Sequence, residues 1–431
     1  MEKIGRRNWI LIWVIGMTGQ ICWNIENSWF NTFVYAKIAP DPSIVAWMVG
    51  VSATVTTFAT FLVGTWSDRI GKRRPFICVG YVLWGIFTFV FGTTQYLPKN
   101  PLFIVASFVV AADAVMSFFG SVGYDGSFNP WTTDISNPQN RGRLGGALAV
   151  MPVLATIFGA VVSGIIIDAI DFFAFFALTG GFVAFIGIIS LLTLRDAPTL
   201  QKKVDSKGFW HQFFSVFRYE TVRKNPELFW VFAVMLVYFI GFNVYFPYIT
   251  IYFVNYLGFS YTVTGIIQGV GLLAAAALTI PAGRIIDRGK MAPVILTALV
   301  ANIVGLVTVG LSQSLVPLFI GVFGAGIGYI LVLQTLTAWI KNLYPEDQRG
   351  QFEGVKQIFF VLLPMIIGPA IANPVIKNFG VSKIVNGTAG MIPSPVLFLV
   401  SAVLAVFTVL PLIPASKYMK NRLATKKDGV V

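Results

Sequence analysis

Gly64-Thr65-Trp66-Ser67-Asp68-Arg69-Ile70-Gly71-Lys72-Arg73-Arg74-Pro75 separates two long apolar runs, and its reading decides the fold. Glycine and proline bracket a dense positive charge, as expected of a tight turn between two helices that cross a membrane. A shortened copy, Gly283-Arg284-Ile285-Ile286-Asp287-Arg288-Gly289-Lys290 followed by Pro293, stands in the second half of the chain. A second pair also matches: Asn137-Pro138-Gln139-Asn140-Arg141-Gly142-Arg143 and Tyr344-Pro345-Glu346-Asp347-Gln348-Arg349-Gly350-Gln351. The chain is therefore a duplicated half, and its turns mark the equivalent positions.

Apolar residues make up 56% of the chain and charged ones 11%, with a mean hydropathy of +0.77. Soluble domains carry about a quarter charged residues, so most of this surface cannot face water. Runs of about 20 apolar residues, each able to cross a hydrocarbon core ~30 Å thick, recur twelve times. They fall at 9–36, 44–64, 76–96, 102–129, 144–167, 172–194, 228–257, 262–282, 292–311, 315–340, 353–376 and 395–415. The expected architecture is all-α and polytopic, with twelve transmembrane helices in two pseudo-symmetric six-helix bundles. The bundles span 1–194 and 228–416, joined by a central loop at 195–227, with a basic tail at 417–431. Met1–Arg7 precedes an apolar run too long for a signal peptide and without a small-residue cleavage site, so that run is kept as the first helix.

The net charge of +13 follows topology and does not call for a nucleic-acid partner. Alternate loops, counted from the N-terminus, hold 27 of the 31 Lys and Arg residues, whereas the others hold Lys37, Lys99, Lys377 and Lys383. By the positive-inside rule, both termini and the central loop face the cytoplasm of a cell (inner) membrane. In the central loop, Phe209, Trp210, Phe213, Phe214 and Phe217 lie beside Arg218, Arg223 and Lys224, a stripe that suits a helix at the membrane interface or a docking site. Cys22 and Cys78 are far apart within helices and form no disulfide or metal-ligand pattern. The sole histidine, His211, lies in the central loop away from any nucleophile, so neither an enzyme nor a cofactor or metal site is expected.

A duplicated six-helix half implies a transporter with a site near the midplane. These turns resemble the major facilitator superfamily over almost the whole chain. Ser67-Asp68-Arg69 leading to Gly71-Lys72-Arg73-Arg74-Pro75-Phe76, Thr133-Asp134 with Arg141-Gly142, and Arg349 with Glu353-Gly354 are similar to the glycoside–pentoside–hexuronide cation symporters and sucrose carriers. The resemblance implies a cytoplasmic gate in which Asp68 meets the start of helix 11. Arg69, Arg73 and Arg143 would be its ion-pair partners, with a weaker copy at Asp287 and Arg288. Gly64, lacking a side chain, would let helix 2 approach another helix closely. For Lys72 and Arg74, anchoring of topology suffices.

Charges inside a bilayer cost at least ~2.5–3.5 kcal/mol each, so intramembrane acids are functional candidates. Glu26 in helix 1 and Asp113 and Asp125 in helix 4 are the cation-coupling candidates. Asp125 lies in Gly123-Tyr124-Asp125-Gly126-Ser127-Phe128-Asn129-Pro130-Trp131, where glycine and proline loosen the helix, a feature tolerated beside a cavity. Family members carry an acid here that contacts sugar hydroxyls or couples the cation, so Asp125 and Asn129 enter the substrate set. Trp23, Glu26, Asn27 and Asn31 share one broad face of helix 1, a wall that suits a polyol. The bland readings are an end-of-helix polar patch and a structural carboxylate. Asp113, about 120° round the helix from Asp125 and nearer the outer side, is either a coupling site or an interhelix hydrogen bond. In the second half, Asn243, Tyr248, Gln268 and Gln334 supply neutral polar contacts, or tie helices together.

Helix 2 holds no acid where sodium-coupled relatives pair two, and Lys356 lies too near the start of helix 11 to stand for the deeper lysine of that branch. A proton on an intramembrane carboxylate is therefore the expected coupling ion, ahead of sodium. The expected function is a monomeric proton–sugar symporter working by alternating access, with a drug or metabolite antiporter or exporter as the alternative.

Overall fold

The computed structural model describes residues 4–137, 140–198, 200, 219–344 and 349–427. Among these, ten helices are long and apolar enough to cross a bilayer. One of them, Arg143–Thr193, turns back at Asp171 (φ 68) and holds two crossings. Residues 6–38, whose amides and carboxylate lower their hydropathy, add the first crossing, giving the twelve expected. We number them α1 (6–38), α2 (Pro42–Ile70), α3 (Arg74–Tyr96), α4 (Leu102–Asp134), α5 (141–170) and α6 (172–193). The second six are α7 (Pro226–Tyr256), α8 (Tyr261–Asp287), α9 (Met291–Leu311), α10 (Leu315–Lys341), α11 (349–379) and α12 (Val396–Ala424).

Local sequence explains the ends. The Asp41 carboxylate accepts from the Ser43 amide at 2.8 Å, and Pro42 begins α2 with a fixed φ and no N–H to satisfy. Gly71 ends the same helix in the left-handed region (φ 70), which a side chain would strain. α3 is capped from a distance: Asp196, just beyond α6, accepts from the amides of Arg73 and Arg74 at 2.7 and 2.8 Å. Nothing in the local sequence of α3 announces that cap.

The backbone clusters into two compact units. The first comprises Met1–Ser206, Pro247–Gly269 and Val381–Ile392; the second comprises Lys207–Phe246, Val270–Gly380 and Pro393–Val431. The ends of α7 and α8 nearest the loop between them thus group with α1–α6, where the expected bundles had divided the chain simply at the central loop.

In the first unit, Phe30, Phe33, Phe91, Phe172 and Phe176 stack edge and face around one another. α3 and α6 touch backbone to backbone: a Cβ on Gly85 would stand 2.3 Å from the Gly180 carbonyl oxygen. Apolar contact alone gains little between helices in lipid, so small residues that let backbones meet supply the packing. A β-hairpin, β1 (Val381–Val385) and β2 (Thr388–Ile392), belongs to this unit and was not anticipated from sequence. Asn386 and Gly387 turn it with φ of 48 and 81, and the Met391 amide donates to the Pro40 carbonyl at 3.0 Å.

In the second unit, Leu228, Val231, Phe232, Met235, Leu336 and Trp339 form the core. Glu227 in the first turn of α7 accepts from Trp339 Nε1 at 2.8 Å, and from Arg422 near the end of α12 at 2.8 and 3.0 Å. The aromatic stripe at 209–217 lies outside the described residues.

Candidate functional site

α1 departs from α-helical winding at one of its acids. Glu26 opens a π-helical turn, Glu26–Phe30, and a second follows at Val34–Ile38. Such turns, which add a residue per turn and leave backbone groups displaced, recur at functional sites. Asn27 and Asn31 mend the displaced groups: their side-chain amides donate to the carbonyls of Trp23 (2.7 Å) and Asn27 (3.3 Å). The expected polyol-binding amides are therefore engaged with their own backbone. Trp23 packs against Trp84 at 5.0 Å between centroids. Trp29, buried and not singled out from sequence, donates to the Gly159 carbonyl on α5 at 2.6 Å.

Glu26 is half-buried, and Asp113 is 2% exposed. Two serines join them. Ser117 Oγ donates to Glu26 Oε1 at 2.8 Å, and Ser52 Oγ donates to Asp113 Oδ2 at 2.5 Å. The two hydroxyl oxygens themselves lie 2.9 Å apart. The result is a continuous path from α1 through α4 and α2 and back to α4. The remaining carboxyl oxygens, Glu26 Oε2 and Asp113 Oδ1, are shielded from solvent without a hydrogen-bond partner. Among the described residues no Lys, Arg or His stands within ion-pair distance of either acid.

Asp125 sits elsewhere. It lies in its own π-helical turn, Tyr124–Phe128, eight residues beyond Ser117 and so about 12 Å further along α4. The three acids thus divide into a serine-bridged pair and a separate carboxylate. Beside Asp125, the Tyr124 hydroxyl accepts from Gln20 at 2.7 Å, the Ser121 hydroxyl is turned to the Asp125 carboxylate, and the Ser127 hydroxyl is buried without a partner. Asn129 is exposed. Neither Ser52 nor Ser117 stands out in the sequence. A serine among apolar residues carries no periodic signal, and only the packing of α2 on α4 makes these two neighbours.

The neutral polar residues of the second half have partners of their own. Asn243 donates to the Phe239 carbonyl at 2.8 Å, and Gln334 donates to Thr279 at 3.0 Å. Tyr248 donates to the Pro42 carbonyl at 3.0 Å, and Gln268 donates to Thr250 Oγ1 at 3.1 Å.

At the basic end of the first unit, Arg73 is 4% exposed and gathers the turn around itself. Its guanidinium donates to Asp68, Ser67 and the Gly64 carbonyl, and its Nε donates to Asp134 Oδ2 at 3.1 Å. Arg143 instead lies over the Trp9 ring at 5.4 Å, while Arg69, Asp287 and Arg288 are exposed. Among the described residues nothing stands within 4 Å of where a Cβ on Gly64 would be, so the close approach expected there finds no partner among them. Residues 345–348, leading into α11, against which Asp68 was expected to act, lie outside the described residues.

The sequence profile of the Major Facilitator Superfamily matches residues 9–369 and 231–428. Among curated relatives, the multidrug resistance protein MdtH of Salmonella paratyphi B and that of Salmonella newport are each 32% identical over 113 residues. That stretch is 26% of this chain and only 28% of each relative. Among solved structures, a point mutant of the nucleoside transporter NupG superposes with a TM-score of 0.74 at 11% identity, over 95% of this chain and 98% of that one. A bacterial homologue of the human lysosomal transporter Spinster, inward-facing and unoccupied, gives 0.67 at 16% identity over 97% of both chains. At these identities the likeness is one of fold.

Proposed function

The chain belongs to the Major Facilitator Superfamily and is a membrane transporter rather than an enzyme, and we propose that it couples uptake of a polyhydroxylated solute, a sugar or glycoside, to entry of a proton. The observation that carries this reading is the Glu26–Ser117–Ser52–Asp113 path, an acid pair inside the membrane without a cationic partner. Keeping such groups ionised and unpaired within lipid is costly, so a site of this kind is suited to binding and releasing a small cation. Hydroxyl donors stabilise either acid, and helix 2 contributes a serine where sodium-coupled carriers place acids.

Asp125, apart from that pair and near the unpartnered Ser127 hydroxyl, is the favoured contact for substrate hydroxyls. The Asp68–Arg73–Asp134 cluster is the cytoplasmic gate, and both termini face the cytoplasm of the inner membrane by the distribution of Lys and Arg. The working unit is a monomer with two six-helix halves. The nucleoside named for NupG, which carries a ribose, belongs in the substrate panel. A second reading, proton-driven export of drugs or metabolites, is favoured by the 113-residue likeness to MdtH.

Sugar-induced alkalinisation, measured in cells or vesicles over mono- and disaccharides and nucleosides, tests the proposal. Proton uptake with one solute, lost in Asp113→Asn, is expected. Absence of proton movement with every solute, together with efflux of a drug-like dye on energisation, would sink symport in favour of export.

A further inference from the structure

Four oxygens in series, Glu26 Oε1, Ser117 Oγ, Ser52 Oγ and Asp113 Oδ2, make three contacts of 2.8, 2.9 and 2.5 Å. Each contact at these lengths is a hydrogen bond and needs one proton between its oxygens. The two serines bring two protons. If both hydroxyls donate outward to ionised acids, the 2.9 Å contact between them has lone pairs facing lone pairs. The third proton must come from a carboxyl.

From this count we infer that Glu26 and Asp113 hold a single transferable proton in common, carried by a two-serine wire; the inference deepens the coupling role proposed above. In one form, neutral Glu26 donates from Oε1 to Ser117, Ser117 to Ser52, and Ser52 to ionised Asp113. Reversal breaks three O–H bonds and makes three. The Glu26 proton passes to Ser117, the Ser117 proton to Ser52 and the Ser52 proton to Asp113 Oδ2, leaving Glu26 ionised and Asp113 neutral. Charge is conserved throughout, and one negative charge shifts from α4 to α1.

The orphaned oxygens point the same way independently of the count. Glu26 Oε2 and Asp113 Oδ1 are both shielded from solvent and unpartnered. An orphan oxygen is far less costly on a neutral carboxyl, as its carbonyl, than on a carboxylate. One neutral acid removes half of that burden, and the shared proton lets either end take it. Asp125 is the other titratable side chain that influences Glu26, and Glu26 in turn influences Cys22; neither Asp125 nor Cys22 makes a hydrogen bond to the path. Ser52 and Ser117 are therefore positioning residues: they turn two separate acids into one proton site.

Infrared difference spectroscopy on the full-length protein in lipid, without substrate, reads the protonated-carboxyl C=O band directly. Wild type should show one proton's worth of band from this pair near neutral pH. Glu26→Gln should abolish it, because the amide supplies the third donor and leaves Asp113 ionised, and Asp113→Asn should abolish it equally. Ser117→Ala, which cuts the wire, should split the single step into two independent titrations. Two protonated acids in wild type, or an Asp113 band that survives in Glu26→Gln, would overturn the shared proton. Because this readout needs no solute, a shared proton without sugar-induced alkalinisation would retain the wire and reject symport, and the converse would reject the wire alone.

Discussion

Replacing Arg73 tests whether the basic turn acts through geometry or merely through charge. The guanidinium spans Asp68, Asp134, Ser67 and the Gly64 carbonyl from a site only 4% exposed. A lysine keeps the charge, but its compact ammonium cannot fork between two carboxylates. Hydrogen bonds to charged groups contribute about 1.5–3 kcal/mol each. The side chains of Asp68 and Asp134 are 29% and 21% exposed, so water recovers part of the loss. Arg73→Lys should therefore destabilise the fold by about 1–2 kcal/mol and Arg73→Ala by about 3 kcal/mol, near the lower end for breaking a buried pair. At 1.4 kcal/mol per factor of ten, the lysine variant shifts the folded-to-unfolded ratio about five- to thirtyfold. Cys22 and Cys78 are both buried, so a thiol-reactive dye reports unfolding without added labels. The labelling curve in detergent should move to lower temperature in the order wild type, lysine, alanine. Superposition of the lysine variant on wild type, with alanine displaced, would show that a point charge suffices and refute the fork.

Two glycines in the first unit should respond oppositely to the same change. Gly85→Ala drives a Cβ to 2.3 Å from the Gly180 oxygen and should cost about 1–3 kcal/mol in melting experiments. Gly64→Ala adds a methyl to open space within α2 and should stabilise by about 0.5–1 kcal/mol. Slowed transport in that stabilised variant would support a close approach at Gly64 in another state of the cycle. At the start of α8, Asp168 accepts from the amides of Tyr261 and Thr262 at 3.3 and 2.7 Å. Asp168→Ala removes an N-terminal cap worth about 1 kcal/mol, so those amides should exchange about fivefold faster; unchanged exchange would show the cap to be inert.

The membrane architecture was open to reading because its causes are local. A bilayer imposes its thickness on each helix separately, so twelve apolar runs could be counted without knowing their neighbours. The duplicated turns marked the repeat on which two halves were expected, and Gly71, Pro42 and Asp41 act at the helix ends where they stand. The hairpin at Val381–Ile392 escaped because its Asn386-Gly387 turn is brief and lies between two apolar runs that dominate the reading.

The candidate site divides differently. Glu26, Asp113 and Asp125 were recognisable one at a time, since a carboxylate in an apolar run is conspicuous wherever it packs. Their grouping was not recognisable. Helical spacing placed Asp113 away from Asp125 on α4, but only the packing of α1 and α2 on α4 set Ser117 and Ser52 between Glu26 and Asp113. Arg73 shows the same limit: the turn announced its charge, while its burial among Asp68, Asp134 and Ser67 depends on elements up to 61 residues apart. Sequence by itself determined how many times the chain crosses the membrane, which end of each helix is basic, and which residues are costly there, because these follow from each segment's contact with lipid and water. Tertiary structure alone decided which of those costly groups share a hydrogen bond, because partners only a few ångströms apart come from different helices.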